Sequence, residues 1–581
     1  MSTVVGAQTQ IQDEITQVEE ALSEMHDTPV SAPTGLSNPG HLNYTSQGQE
    51  SREEIELRSS LVSDLFSANP SHSSVNMGSW YEGTLNAFQF EEPSVTVNPV
   101  FRILTQSNEA SRAVDPHLGS QPGATDSSPT YRDLLEESRL QNYEVDVCKF
   151  IDNWTFVTKL RLASQRMFTE VPGSDVLTSS RPSHVRAEEV NEDTYDMQGI
   201  DWTRIGTSGM QARKARDCYC EAVSGDCFTE LERKSFSSEG IENCDSLFRF
   251  RRMNTKHRAW IQHFQLRNLM AVTSHNDIFY AARSKVHCTD AVGGVNATVM
   301  DLSGPASSLS GESSFRITTL AAASNLVVSG SYTGEYAMAS LDSMSSSPPT
   351  IGLITPDHEG IICHVDLFAR RGIGQPTSAA FSSNDQHVRV LDCATNTFVS
   401  SFKYPYSVNC SVADPHAQMR LVVGDSNTAL LTNADDGQVL TEIAHHTGNI
   451  FAASWCGDGV HVATGAEDGR VLVYDMRKWS APVADIACVK ACPRSLRFSS
   501  RGPSMLLVAE AEDAVEVVEA GGGMFQKRQV VEFFGSVGGA EWRPDGKGFW
   551  VANGDAKFGG LMQFDMMGAR LAPSAQSKLY F

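Results

Sequence analysis

From residue 246 to about 570, apolar and polar positions alternate in short runs broken by Gly, Asp or Asn. A period of two predicts strands, and the frequent turn residues predict hairpins. The clearest unit is His445 to Arg477, HHTGNIFAASWCGDGVHVATGAEDGRVLVYDMR. It holds two alternating strand patterns, a Gly-Asp-Gly turn, a Glu-Asp-Gly turn and a third strand ending in Tyr474-Asp475. Such a unit cannot bury both of its faces alone, so it must stack against neighbours.

An acidic residue at the end of each third strand supplies a ruler. Asp342, Asp392, Asp435, Asp475, Glu519 and Asp565 recur at separations of 50, 43, 40, 44 and 46. Two apolar runs precede each mark, as in Leu421 to Asp425 and Leu506 to Ala509. The spacing suits a four-stranded propeller blade and is too long for leucine-rich, ankyrin or tetratricopeptide repeats. An earlier unit lacks the acid but has strand patterns at Trp260 to Phe264, Leu269 to Thr273 and Ile278 to Ala281. The expectation is therefore an all-β chain with a seven-bladed propeller over 246–570. Leu247 to Arg251 alternates apolar with basic, and pairing it as the outer strand of the last blade would close the ring. Closure would remove two exposed sheet edges.

The flanks differ. Residues 1–129 are rich in Ser, Thr, Pro, Gly, Asn, Glu and Gln, without sustained apolar period. Such a segment cannot bury enough apolar surface to offset the entropy of ordering, so a largely disordered tail is expected. Ile11 to Met25 and Glu54 to Phe66 are exceptions that read as short amphipathic helices. Residues 130–245 are expected to dock on, or lead into, the propeller. There Val147, Ile151, Trp154 and Thr158 form a helical stripe. It reads either as a helix packed on the main domain or as a docking helix for another protein. Residues 571–581 are a C-terminal tail.

Composition narrows the classes. The formal charge of −24 and pI near 5.1 argue against a surface that neutralises phosphate polymers, so no nucleic acid is expected. The N-terminus lacks the basic and apolar regions of a signal peptide. No run of 18 apolar residues predicts a membrane span. Twelve cysteines are too dispersed for a secreted disulfide scaffold. An intracellular protein, cytoplasmic or nuclear, is expected. The glycosylation sequons at Asn43 and Asn296 then mean little.

The unit at 445–477 resembles a WD-repeat blade, with His446 in place of the His of a Gly-His pair and Tyr474-Asp475 for Trp-Asp. A second likeness starts at Asp196 to Trp202, DMQGIDW, followed by a helix rich in Arg and Lys. It continues through Phe264 to Ile278, Ser382 to Asp392 and the last four units. This is similar to a fungal and plant WD-repeat family known mainly as uncharacterised proteins. The resemblance covers roughly 190–570 and implies a WD40-type propeller. It also implies that His446, Thr464, Asp468 and Tyr474 form that fold's hydrogen-bond tetrad. The same Thr, His and Asp can be read as a nucleophile relay, but a tight-turn Asp that fixes the His of the incoming loop is the structural reading. Asp385 keeps the turn position elsewhere, whereas Leu391 and Val518 stand at the Trp position, so those blades should rest on apolar packing.

Two functions of different class follow. One is a non-catalytic scaffold whose faces and central funnel hold other proteins. The other is an enzyme with its active site in the funnel. No Gly-rich phosphate loop, metal-ligand spacing or nucleophile elbow supports the enzyme, so no catalytic, cofactor or metal residues are assigned. Cys218, Cys220, Cys227 and Cys244 lack the paired knuckles of a zinc site. Arg213, Lys214 and Arg216, and Arg249, Arg251 and Arg252, read as a nuclear signal or anion patch, or more economically as a solvated helix face and an edge strand. Tyr474-Asp475-Met476-Arg477 looks like the WDxR element of substrate receptors for cullin-type ubiquitin ligases. Arg477 would then contact the adaptor. Limited proteolysis should trim residues 1–129 and leave a resistant core beginning between 130 and 250; a resistant N-terminal fragment would refute that division.

Overall fold

The computed structural model describes residues 146–155 (except 153), 173–179, 181–224 (except 192) and 241–568. Within the last span 295, 305–308, 310–314, 324, 343–347, 356–359, 370–377, 503 and 522–523 are not described. The expectations for 1–129, for both N-terminal helices and for 571–581 lie outside these residues.

Among the described residues the fold is all-β with few helices. Five four-stranded antiparallel sheets follow one another over 270–301, 317–353, 362–403, 408–443 and 450–487. In each, strands pair in chain order, the arrangement that short Gly and Asp turns favour. A larger sheet runs through Pro493–Phe498, Met505–Glu510, Glu512–Gly521, Met524–Trp542, Gly548–Asn553, Gly560–Met566, Phe248–Asn254 and His184–Arg186. The 19-residue strand Met524–Trp542 divides its antiparallel pairing between two partners, and Glu242–Asn243 adds a short parallel pairing at Lys527 and Arg528. It pairs with Glu512–Gly521 as far as Ser536, then with Gly548–Asn553 from Val537. Gly535 sits at this hand-over with φ 109°, and a Cβ there would lie 2.7 Å from Asp555. Only glycine meets both demands.

Burial follows position within each sheet. Ile450–Trp455 and Ser378–Ser383 are buried at every residue, while the fourth strands Thr397–Lys403 and Val439–Ile443 are largely exposed. The reason is face-to-face stacking. Leu421, Val423 and Leu431 of the fourth sheet pack on Ile450, Val462, Leu472 and Tyr474 of the fifth. Each such side chain contributes about 1.5–3 kcal/mol on burial. The first strands of successive sheets lie against one another from 270–272 through 493–498, and Met524–Trp542 lies against both ends of that series. The arrangement is propeller-like.

Two details of the first sheet correct the sequence reading. Trp260 to Phe264 is not a strand. Its Trp260 lies beneath the guanidinium groups of Arg258 and Arg283, 4.9 and 4.1 Å from the ring, and donates one backbone bond to Ala281. The unit therefore starts one strand later, with Met270–Val272, Ile278–Ala282, Lys285–Thr289 and Asn296–Asp301. The missing acid is then present. Asp290 directly follows the third strand, and its carboxylate accepts from the backbone of Val292 and Gly294.

Phe248–Asn254 pairs antiparallel with Gly560–Met566, as its alternation predicted. His184–Arg186 adds a further strand outside it, which the sequence reading missed. Beside this sheet lie a helical stretch at 147–152, α1 (Ser174–Ser179) and α2 (Gly209–Ser224). Val147, Phe150 and Ile151 are fully buried with Trp202, Phe534 and Phe558, which favours the packed-helix reading over a free docking helix. The Asp196 to Trp202 motif is a clamp. Asp196 accepts from the backbone of Gln198 and Ile200 and from the Trp202 indole. Gln198 accepts from Phe534 N at 2.6 Å and donates to Phe534 O at 2.8 Å. No helix among the described residues is long and apolar enough to cross a membrane.

Gln198→Ala would leave the buried Phe534 amide unpaired, at a cost of roughly 1–3 kcal/mol. A urea-denaturation midpoint equal to that of the parent protein would show that the clamp is dispensable.

Candidate functional site

The fifth sheet brings three of the four tetrad residues into direct contact. His446 arrives on the loop before Ile450–Trp455, Thr464 lies in His461–Ala466, and Asp468 sits in the turn that follows. His446 Nδ1 is 2.9 Å from Asp468 Oδ2, and Nε2 is 2.9 Å from Thr464 Oγ1. Thr447 N and Arg470 N also donate to Asp468. Gly448 lets the loop approach, since a Cβ there would lie 2.9 Å from Asp468 N. Burial works to raise the Asp468 carboxyl, but the bonds from His446, Thr447 and Arg470 outweigh it and hold it below the usual range. Tyr474 is fully buried, yet its Oη, although close to Thr464, lies outside bonding geometry.

The same task is done differently elsewhere. Asp385 takes a two-pronged ion pair from Arg389, at 3.0 and 2.7 Å. Asp425 accepts from Asn409 at 2.9 Å. Glu510 accepts from the backbone of Val489, Lys490 and Ala491. Leu391 and Val518 are buried in apolar clusters.

One group unforeseen in the sequence has ligand-like spacing. Cys488, Glu510 and Glu516 are buried, with one ligand atom each within 4.8 Å of the others. Glu510 is already filled by three backbone donors, and Glu516 faces Arg528 at 3.5 Å. Burial, then the charge of Glu516, pushes the Glu510 carboxyl well up, and burial raises Glu516 as well. Both shifts favour the protonated forms of these carboxyls, which suit a metal ligand poorly.

Arg477 lies at the other end of the fifth sheet from Asp468, about 17–20 Å along a six-residue strand. Its side chain is 68% exposed and makes two bonds to Asp475, at 2.8 and 2.6 Å.

A second cluster lies where the first strands begin. The Arg494 guanidinium is 3.8 Å from the Phe451 ring centroid, and its Nε and Nη1 have no hydrogen-bond partner. The residue is only 8% exposed, and burial lowers its pKa, with Arg267 acting in the same direction. Arg267 donates from Nε to Phe264 O. Burial and then these two arginines push the nearby His263 down to about 4, so it is neutral at pH 7. Tyr332 stands 6.2 Å from His263, under Arg316 at 4.2 Å. Sequence reasoning missed this group because Arg267 and Arg494 are remote in the chain. The only local signal was a basic residue at the start of a first strand.

No family model matches the chain, and no curated protein does. The narrower likeness to a fungal and plant family therefore gains no support. Among solved structures, a chain from a crystal structure of a mitotic checkpoint complex is 14% identical, with a TM-score of 0.44. The match covers 53% of this chain and 91% of that one. At that score it carries no argument about function.

Asp468→Ala should leave His446 Nδ1 and two backbone amides without an acceptor, at roughly 1–3 kcal/mol for each buried group. Because the native carboxyl is held low, its contribution is present above the ordinary carboxylate range and fades as pH falls through the native value. The stability gap between parent and Asp468→Asn should thus narrow below about pH 4. Equal melting temperatures for parent and Asp468→Ala at pH 7 would overturn the structural role.

Proposed function

We propose that the protein is a non-catalytic interaction scaffold, built as a closed seven-bladed WD40-type propeller that assembles other proteins. Residues 130–245 dock on the propeller, 1–129 and 571–581 are tails, and the setting is intracellular. Seven blades are supported by the double use of Met524–Trp542, which makes the large sheet two units of four strands with Phe248–Asn254 as the last. Closure is supported by the contact of Met524–Trp542 with Met270–Val272. Against a nucleophile relay stands Thr464, fully buried with its hydroxyl on His446, out of reach of a substrate.

The observation that carries the binding reading is Arg494. A buried guanidinium with two unpaired nitrogens beside an aromatic ring is costly unless an acceptor reaches it. Both nitrogens are shut off from solvent, so a partner's backbone carbonyl or carboxylate reaches them only where binding shifts the side chains around Phe451. Arg494→Gln and Tyr332→Ala should each remove the same proteins from affinity purifications analysed by mass spectrometry, with melting temperatures within a few degrees of the parent. An unchanged set of co-purifying proteins would overturn the Arg494 cluster as the contact.

A narrower reading, substrate receptor of a cullin-type ubiquitin ligase, draws on the exposure of Arg477. Its pairing with Asp475 leaves the side chain at the surface, where substitution has little effect on stability. Arg477→Ala should keep thermal stability and lose the adaptor; retention of every partner would remove the ligase reading and leave the scaffold.

A further inference from the structure

The basic run at Arg249 to Arg252 is not an ordinary edge strand. Phe248, Phe250 and Met253 all pack into one apolar core, although a regular strand would put Met253 on the opposite face from the two phenylalanines. The break is a bulge: Phe250 pairs with Phe564 and Arg252 with Gln563, leaving Arg251 as the extra residue. A bulge re-aims side chains, and here Arg249, Arg251 and Arg252 all fall away from the core. The additional strand then sets Arg186 directly opposite Arg252. Like charges in that position repel.

These residues line a cavity of about 410 Å³, formed by Arg186, Arg251, Arg252, Glu188 and Glu189. Its internal charge balance is incomplete. Glu189 is occupied by the backbone amide of Arg186 at 2.9 Å. Glu188 lies 3.5 Å from Arg251. Asp565, 4.0 Å from Arg251, is already bonded by Arg543 at 2.8 Å and Gln563 at 3.2 Å. Among the described residues, neither the Arg186 nor the Arg252 guanidinium has an ion pair. Burial, and then the neighbouring charge of Arg251, lowers the Arg252 pKa, as expected of a cation short of counter-charge.

We infer that this cavity is an anion site that receives the phosphate of a phosphorylated serine or threonine side chain on a partner protein. Two free guanidinium groups match a dianion, which a single carboxylate does not. Glu188 and Glu189 in the lining disfavour long acidic stretches, and the net charge of −24 disfavours anionic membranes and nucleic acid. The favoured partner therefore presents one phosphate among neutral or basic residues. The site lies at the outer edge of the large sheet and does not depend on what the Arg494 cluster binds.

The test uses the full chain and a heptapeptide with one phosphoserine among glycines and lysines, titrated by fluorescence anisotropy. The phosphopeptide should bind at least about tenfold more tightly than its unphosphorylated form, since charge-assisted pairs to phosphate are the strong ones. Arg252→Gln and Arg186→Gln should each remove that preference, Arg252→Lys should restore part of it, and Arg204→Gln should leave it intact. Arg186 is exposed, so its variant decides the matter even if Arg252→Gln fails to fold. Equal binding of the two peptides, or a preference unchanged in Arg186→Gln, would overturn the site. Tighter binding to phosphoinositide vesicles or single-stranded DNA than to the phosphopeptide, lost in the same variants, would overturn the protein partner.

Discussion

A strand that is apolar on both faces has no stable position except between two other layers, and this requirement organises the molecule. Ile450–Trp455 carries no exposed residue, so the fifth sheet must be covered by the fourth and by the sheet that follows. The same holds for Ser378–Ser383 in the third sheet. Because the inner strands are largely consumed by packing, many polar groups lie in the turns, at the strand starts and on the outer edges, although Arg420 on a second strand also reaches Asp366 and Ser411.

Most of those clusters serve to hold loops. Asp468, Asp425 and Glu510 each receive donors at the start of their own unit, but the donors are a histidine, an asparagine and backbone amides. The common constraint is that a carboxylate buried in a turn needs donors. A repeat can therefore lose its motif residues and keep its geometry, as Asp385 does with Arg389. Arginines left short of partners then stand out. Arg494 at the strand starts and Arg186 and Arg252 at the outer edge carry positive charge that the fold does not neutralise, in a protein with a large negative excess.

The segment before the first sheet is part of the same economy. Gln198 satisfies both backbone groups of Phe534 next to the point where the long strand changes partners. Arg216 reaches Asp513 at 2.8 Å and Glu512 at 3.6 Å, beneath the ring of Phe150. An ion pair this buried is weak evidence for net stability, but removing one partner would strand the other. The contacts fix where the N-terminal elements sit on the large sheet.

The sequence by itself determined the strands, their spacing and the roles of their turn residues. Alternation with period two says which side chains share a face, and Gly and Asp say where a strand ends, both from local chemistry. The pairing of Phe248–Asn254 and the exposure of Arg477 just past a strand end were legible for that reason, whereas the His446–Thr464–Asp468 contact was legible only from the likeness to a WD-repeat blade. Local pattern does not say which neighbour a face meets. It could not separate Trp260 to Phe264 from a strand, because the arginines over Trp260 come from other places in the fold. Nor could it foresee that Met524–Trp542 would divide its antiparallel pairing between two partners, that a bulge at Arg251 would turn three arginines to one side, or that Arg267 and Arg494 would meet. Those features depend on contacts between residues remote in the chain, and only the tertiary structure brings such residues together.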